Sequence, residues 1–180
     1  MMMRRLTLVC GAALLVWTGA ASGQSDPAAA RATGPLAPLD VLVGSWQTES
    51  TGFSTTLAYR WRLDGKVLEA TNEVRDADGK VIGRYLGAYA WDAGRQEVVF
   101  WTAGGSGEVH RGRAWWRDGV LWHEADVSGG TIDAYASAVR PAEGRLDYFA
   151  SYGERTAGPE LLRTDALRYV REEESGVRLP

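Results

Sequence analysis

Trp115-Trp116-Arg117-Asp118-Gly119-Val120-Leu121-Trp122 is the stretch that decides the fold. An Asp-Gly pair between two β-prone runs makes a two-residue hairpin joint, because both central positions of such a turn need positive φ. The joint also fixes the register. Arg117 faces Val120, Trp115 faces Trp122, Arg113 faces Glu124 and Arg111 faces Asp126. One surface of the hairpin carries those Arg-carboxylate rungs and the two facing tryptophans. The other carries His110, Gly112, Ala114 and Trp116 beside Leu121, His123, Ala125 and Val127. With the second surface inward, the rungs are solvated cross-strand pairs worth roughly 0.2–1 kcal/mol each. With the rungs inward, they form a buried ionic ladder that needs a polar ligand or water to satisfy it. The more apolar surface is the expected inner one.

Working outward from this hairpin, the same punctuation recurs at Asp64-Gly65, Asp76-Ala77-Asp78-Gly79, Asp92-Ala93-Gly94, Gly104-Gly105-Ser106-Gly107, Gly129-Gly130 and Pro141-Ala142-Glu143-Gly144. The segments between are rich in Trp, Tyr, Val and Thr and show no sustained 3.6-residue period, so they read as strands. They are placed at 46–52, 54–63, 66–75, 80–91, 95–103, 108–117, 120–128, 131–139, 145–152 and 163–171. About ten strands without a long crossover predict an all-β fold, a closed antiparallel up-and-down β-barrel, because closure removes exposed edges. A β-sandwich is the competing architecture. Propeller blades are excluded by the absence of a recurring signature and by length. Leu36, Leu39, Leu42 and Val43 suit a short N-terminal helix or 3₁₀ segment, stopped by Gly44, that caps one end.

The chain's single cysteine, Cys10, lies in an N-terminal stretch that reads as a signal peptide. Arg4 and Arg5 form the positive region, Leu6 to Trp17 the apolar region, and Ala21-Ser22-Gly23 the cleavage site. Residues 1–23 are thus read as a signal peptide, 24–38 as a flexible lead-in, 39–171 as the barrel domain and 172–180 as an acidic C-terminal tail. Cleavage after Gly23 leaves 157 of the 180 residues, one ordinary domain without cysteine. That excludes disulfide frameworks, cysteine nucleophiles and thiolate-bound metals. Localisation is read as exported, periplasmic or secreted, with no integral membrane segment in the mature chain.

Net charge is −3, and Lys and Arg are scattered, so no nucleic-acid partner is expected. Eight Trp and seven Tyr beside three Phe suggest surfaces where an apolar body meets water or a ligand. Alternation places Tyr59 and Trp61 on one face of their strand and Tyr85 and Tyr89 on one face of theirs. With His110, Trp116, His123 and Tyr135 these are the candidate cavity-lining, ligand-binding residues, and on the last strands Tyr148 and Tyr152 could also line the cavity or its rim. No catalytic motif is found: there is no Gly-x-Ser-x-Gly elbow, His-Glu-x-x-His, phosphate loop or dinucleotide fingerprint. Two histidines cannot build a three-histidine metal site, and no metal site is assigned. Gly104-Gly105-Ser106-Gly107 could hold an anion on its backbone N–H groups, or be simply a hairpin loop.

Leu39…Leu42-Val43-Gly44-Ser45-Trp46, then Tyr59-Arg60-Trp61…Leu63-Asp64-Gly65-Lys66-Val67-Leu68-Glu69, resembles a family of small bacterial exported proteins with a domain of unknown function, described as lipocalin-like or calycin-like. Gly87-Ala88-Tyr89-Ala90-Trp91-Asp92 and Val98-Val99-Phe100-Trp101 look like later segments of it. The resemblance covers about residues 39–171 and implies a closed barrel with a small-ligand cavity, but no established activity. Gly44-x-Trp46 is similar to the first-strand signature of lipocalins, whose Trp packs across the barrel floor. Haem-binding relatives of the fatty-acid-binding type carry a further Gly after that Trp and a late histidine. Here Gln47-Thr48-Glu49 and the lack of histidine after His123 depart from both, so haem is a minority possibility and no cofactor is assigned.

The expected function is non-enzymatic binding of a small hydrophobic or amphipathic molecule. The alternatives are a structural or protein-partner-binding module, or an isomerase or hydrolase using His110 or His123 with Glu69, Glu73 or Glu124. Oligomeric state is not legible.

Overall fold

The computed structural model describes residues 32–50, 52–129, 134–153 and 163–172. The signal-peptide residues, most of the lead-in and nearly all of the acidic tail lie outside the described residues. Ten antiparallel strands close into a barrel: β1 (Gly44–Ser50), β2 (Phe53–Arg62), β3 (Val67–Asp76), β4 (Val81–Asp92), β5 (Glu97–Gly104), β6 (Val109–Arg117), β7 (Val120–Ser128), β8 (Ala134–Ala142), β9 (Arg145–Gly153) and β10 (Arg163–Arg171). Each strand pairs with its chain neighbours, and β10 returns to β1. The expected barrel is the one found, and the sandwich is not.

The β6–β7 hairpin has the register that its turn dictates, with Arg117 opposite Val120, Trp115 opposite Trp122 and Arg113 opposite Glu124. Asp118 and Gly119 sit at φ 55° and 73°, the two left-handed positions the joint requires. The Arg113–Glu124 pair, 2.9 Å apart, is on the outside, with both side chains more than half exposed (57% and 59%). Ala114, Leu121, His123, Ala125 and Val127 are buried. The inner face of the hairpin is therefore the apolar one.

One end of the barrel is closed by a 3₁₀ helix, Gly34–Leu42. Pro35 and Pro38 lack the N–H donors of a regular helix interior, and leucines three residues apart stack on one face of a three-residue turn. Leu36, Leu39 and Leu42 are all buried, Leu42 completely (0% exposed). Two indoles tie this plug to the wall: Trp46 Nε1 donates to the Leu42 carbonyl at 2.7 Å, and Trp61 Nε1 donates to the Asp40 carboxylate at 2.6 Å. The Arg171 guanidinium lies 4.4 Å from the Trp46 ring centroid, on the seam where β10 meets β1. Leu68, Leu121 and Leu146 complete a tightly packed base.

Strand limits follow the turn signals to within a residue or two, with one exception in kind. Pro141 and Ala142 continue β8, opposite Leu146 and Arg145, and the turn is only Glu143-Gly144, with Gly144 at φ 63°. A proline is tolerated there because it is next to the strand end, where few ladder bonds remain to be lost.

Candidate functional site

Above the leucine base, alternate residues of neighbouring strands bring a set of rings together. Leu68, Tyr89 and Phe100 are successive cross-strand partners, and so are Ala114, His123 and Ser137. Tyr89 stacks on Phe100 at 5.8 Å, Phe100 meets the His123 ring edge-on at 5.1 Å, and Tyr59 leans on Tyr89 at 6.4 Å. These four rings form the floor of the lumen.

The floor is threaded by hydrogen bonds. His123 Nε2 meets the Tyr89 hydroxyl at 2.9 Å and its Nδ1 meets the Ser137 hydroxyl at 3.0 Å. The Tyr89 hydroxyl also bonds that of Tyr59. Ser137 bonds the Tyr135 hydroxyl, which bonds that of Tyr148. A continuous polar chain thus crosses the barrel from β2 to β9. Burial sets its charge. His123, 4% exposed, has its pKa pushed down to about 4 by desolvation, opposed only in part by a hydrogen bond to the Ser137 main chain. Burial likewise raises the phenols of Tyr59, Tyr89 and Tyr135 above the ordinary range. At neutral pH every member is uncharged.

Above the floor the wall opens. The inward positions there on β3 to β7 include the small residues Ala70, Gly87, Gly112 and Ala125. Leu57, Ala70, Tyr85, Thr102, His110 and Tyr135 face inward yet keep part of their surface accessible. In a closed wall that surface faces space inside the barrel, so the structure is a cup plugged at the helix end. His110 packs edge-on against Tyr135 at 5.0 Å, and burial lowers its pKa against the pull of Glu108. Tyr85 stands nearer the rim and hydrogen-bonds Glu108. Asn72, beside Tyr85 in register, keeps a buried Oδ1 with no hydrogen-bond partner.

All eight sequence-derived candidates face inward, but they do not share one place. Tyr59, Tyr89 and His123 form the floor, and Tyr135, His110 and Tyr85 rise above it. Trp61 and Trp116 pack into the base, Trp61 through its bond to Asp40. Phe100, Ser137 and Tyr148 join the site as well. Tyr148 was legible as an inward candidate. Phe100 was not, because Val98, Val99 and Trp101 make both faces of β5 apolar. Ser137 is located only by the β7–β8 register, which a two-residue Gly129-Gly130 joint would set one residue off, since Asp126 pairs with Ala134. Tyr152, another cavity candidate, has its side chain outside the described residues.

The carboxylates considered as partners for a histidine are elsewhere. Glu69 bonds Arg62, Glu73 is held by Arg75 and Arg84, and Glu124 bonds Arg113, all on the outer wall. The glycine loop is no anion cradle: the N–H groups of Gly104, Gly105 and Gly107 donate to the carbonyls of Glu108, Arg84 and Gly104. An axial haem ligand needs a bare ring nitrogen, and both of His123's are engaged. Among the described residues no cluster of His, Asp and Glu could hold a metal ion, and no helix is long and apolar enough to cross a membrane. A depression of about 710 Å³ lies across β2 to β5, lined by outward residues such as Thr56, Ala58 and Glu73 and also by Asn72 and Tyr85, and Glu73 there is already neutralised by its two arginines.

Among solved structures, the barrel is similar to one described as the crystal structure of Rv2717c from M. tuberculosis. The TM-score is 0.59 at 18% sequence identity, covering 79% of this chain and 99% of that chain. At that identity the likeness shows the fold. No protein-family model matches the chain, and no curated protein matches it.

Proposed function

We propose that this protein binds a small hydrophobic or amphipathic molecule in the barrel lumen, without transforming it, as an exported member of the lipocalin-like or calycin-like barrels. The observation that carries the reading is the contrast within the barrel: the plugged end is packed solid, while inward side chains above the floor keep accessible surface. An apolar recess with a few placed polar groups is the usual form of a small-molecule site. A binding role is also favoured over acid–base catalysis by the weak basicity of His123 and by the position of Glu69, Glu73 and Glu124 outside the wall. Export rests on residues 1–23 and is tested by the N-terminus of the protein recovered from the periplasm or medium.

Ala70→Trp tests the binding reading, because it puts a large ring on the inner face between Tyr59 and Gly87, its partners in register. Native mass spectrometry of the purified chain should reveal a co-purifying small molecule, and Ala70→Trp should lower its occupancy about tenfold or more while circular dichroism stays that of a β-barrel. Unchanged occupancy in a folded variant places the ligand outside the lumen and defeats the reading.

A further inference from the structure

On the reading that the lumen is a binding site, one carboxylate at its mouth narrows the class of ligand. Glu108 lies just ahead of β6, on the row that continues inward as His110 and Gly112, and its carboxylate turns back over the end of β5. A Cβ placed on Gly104 would stand 2.0 Å from Glu108 Oε1 and 2.2 Å from its Cδ. Gly104 faces Tyr85 in register, and Tyr85 points inward, so this seat is on the lumen side of the wall. Only a residue without a Cβ leaves it free.

The seat is built to hold a charge. The Ser106 hydroxyl donates to Oε2, and the Tyr85 hydroxyl and Glu108's own main-chain N–H also bond the carboxylate. These bonds, that from Ser106 foremost, hold the carboxyl below the usual carboxylate range, so it is an anion at neutral pH. His110 brings no counter-charge, because burial lowers its pKa and leaves the imidazole neutral. The carboxylates of the outer wall are already neutralised: Glu69 by Arg62, Glu73 by Arg75 and Arg84, Glu124 by Arg113, and Asp147 by Arg145 and Arg168. Asp76, at the rim end of β3, accepts from the N–H groups of Asp78 and Lys80 in its own turn. No described lysine or arginine pairs with Glu108, which is partly buried. An anion in that position is screened less than one on the open surface and gains more from a cation brought to it. The rings of Tyr85, His110 and Tyr135 line the lumen just inside, and an apolar body fits against them.

We propose that the ligand is an amphipathic amine, its apolar body in the lumen and its ammonium group paired with Glu108 at the mouth. A carboxylate head on the same body meets repulsion there, and an alcohol gains no charge attraction.

The test titrates the purified chain by calorimetry at pH 7 with two matched series: 1-naphthylmethylamine, 1-naphthylmethanol and 1-naphthoate, then decylamine, decanol and decanoate. In whichever series binds, the amine should bind about fivefold or more tightly than the alcohol, and the carboxylate more weakly than either. Glu108→Gln keeps the size of the side chain and removes its charge. It should cut the preference for amine over alcohol to about twofold or less by weakening the amine, with the circular dichroism still that of a β-barrel. Gly104→Ala keeps the carboxylate but closes its seat, and should cut the preference likewise. Equal affinity for amine and alcohol, tighter binding of the carboxylate, a preference that survives either substitution in folded protein, or a co-purifying molecule without a basic nitrogen would overturn the assignment. A co-purifying amine upholds it even where none of the six probes binds. Alcohols that bind as tightly as the amines, and that Ala70→Trp blocks, overturn this ligand class and leave the lumen reading standing. Binding of none of the six, with no co-purifying molecule, overturns both.

Discussion

Burial makes His123 a source of pH dependence on the acid side of neutrality. In the unfolded chain its imidazole titrates near 6.5, and in the fold near 4, because desolvation disfavours the cation. The folded state therefore binds fewer protons between those values. Stability from this group is complete above pH 6.5 and is lost as pH falls from 6.5 towards 4, by about 3 kcal/mol in all. His123→Gln should flatten that segment of the stability profile, measured as denaturation midpoints at pH 7, 5.5 and 4.5, even though it lowers stability at pH 7. A wild-type profile that is flat over this range, or a variant profile as steep as the wild type's, would show that the imidazole is already charged in the fold. The sequence made the position of this residue legible, since the Asp118-Gly119 joint sets His123 beside Ala114 on the inner face. Its partners were not legible to the same degree. Tyr89 emerges from the alternation of β4, but its meeting with His123 spans 34 residues and depends on how far the barrel coils. Ser137 depends on a β7–β8 connection that falls partly outside the described residues.

At the scale of elements, the wall's coiling has a steric cause that can be tested. Gly112 lies on the inner face of β6, and a Cβ placed there would stand 1.8 Å from the Glu124 carbonyl oxygen and 2.6 Å from the Ala125 Cα. No side-chain rotation relieves a clash with backbone, so the strands can approach this closely only over glycine. Gly112→Ala should cost about 3 kcal/mol or prevent folding, read from the denaturant midpoint or from soluble yield. Gly105→Ala is the control. Its nearest neighbour would be the Arg84 carbonyl oxygen at 3.6 Å, and the change should stay within about 0.5 kcal/mol. The sequence marked these elements well where a turn is tight. The ends of β6 and β7 and the Asp64-Gly65 turn follow directly from turn chemistry, with Asp64 and Gly65 at φ 54° and 80°. It marked β8 less well, because Pro141 is usually a turn residue and here extends the strand. Amphipathic alternation was clear on β2 and absent on β5, where both faces are apolar.

For the whole molecule, the 3₁₀ plug and the ring of strands depend on each other. Leu39 is 1% exposed at the centre of the base, and Leu39→Ala should destabilise the entire barrel by about 3 kcal/mol in equilibrium unfolding rather than fray the plug alone. Two separated unfolding transitions would show that the helix is merely an appendage. Architecture was the most legible level, since ten turn-bounded segments with no crossover leave closure as the way to satisfy every edge. The seam between β1 and β10 has a further consequence, in time rather than in space. Among the described residues it rests on the pairs Trp46 with Arg171 and Gln47 with Val170, extended by the Glu172 N–H donating to the Ser45 carbonyl, and these join the first strand to the last. Every other pairing is a local hairpin that can form early, whereas the seam must await a ring of nine completed neighbours and a large loss of chain entropy. The barrel is therefore fast to zip and slow to close. An open, curled sheet with its two edges exposed is the species that refolding must outrun before it finds another copy of itself.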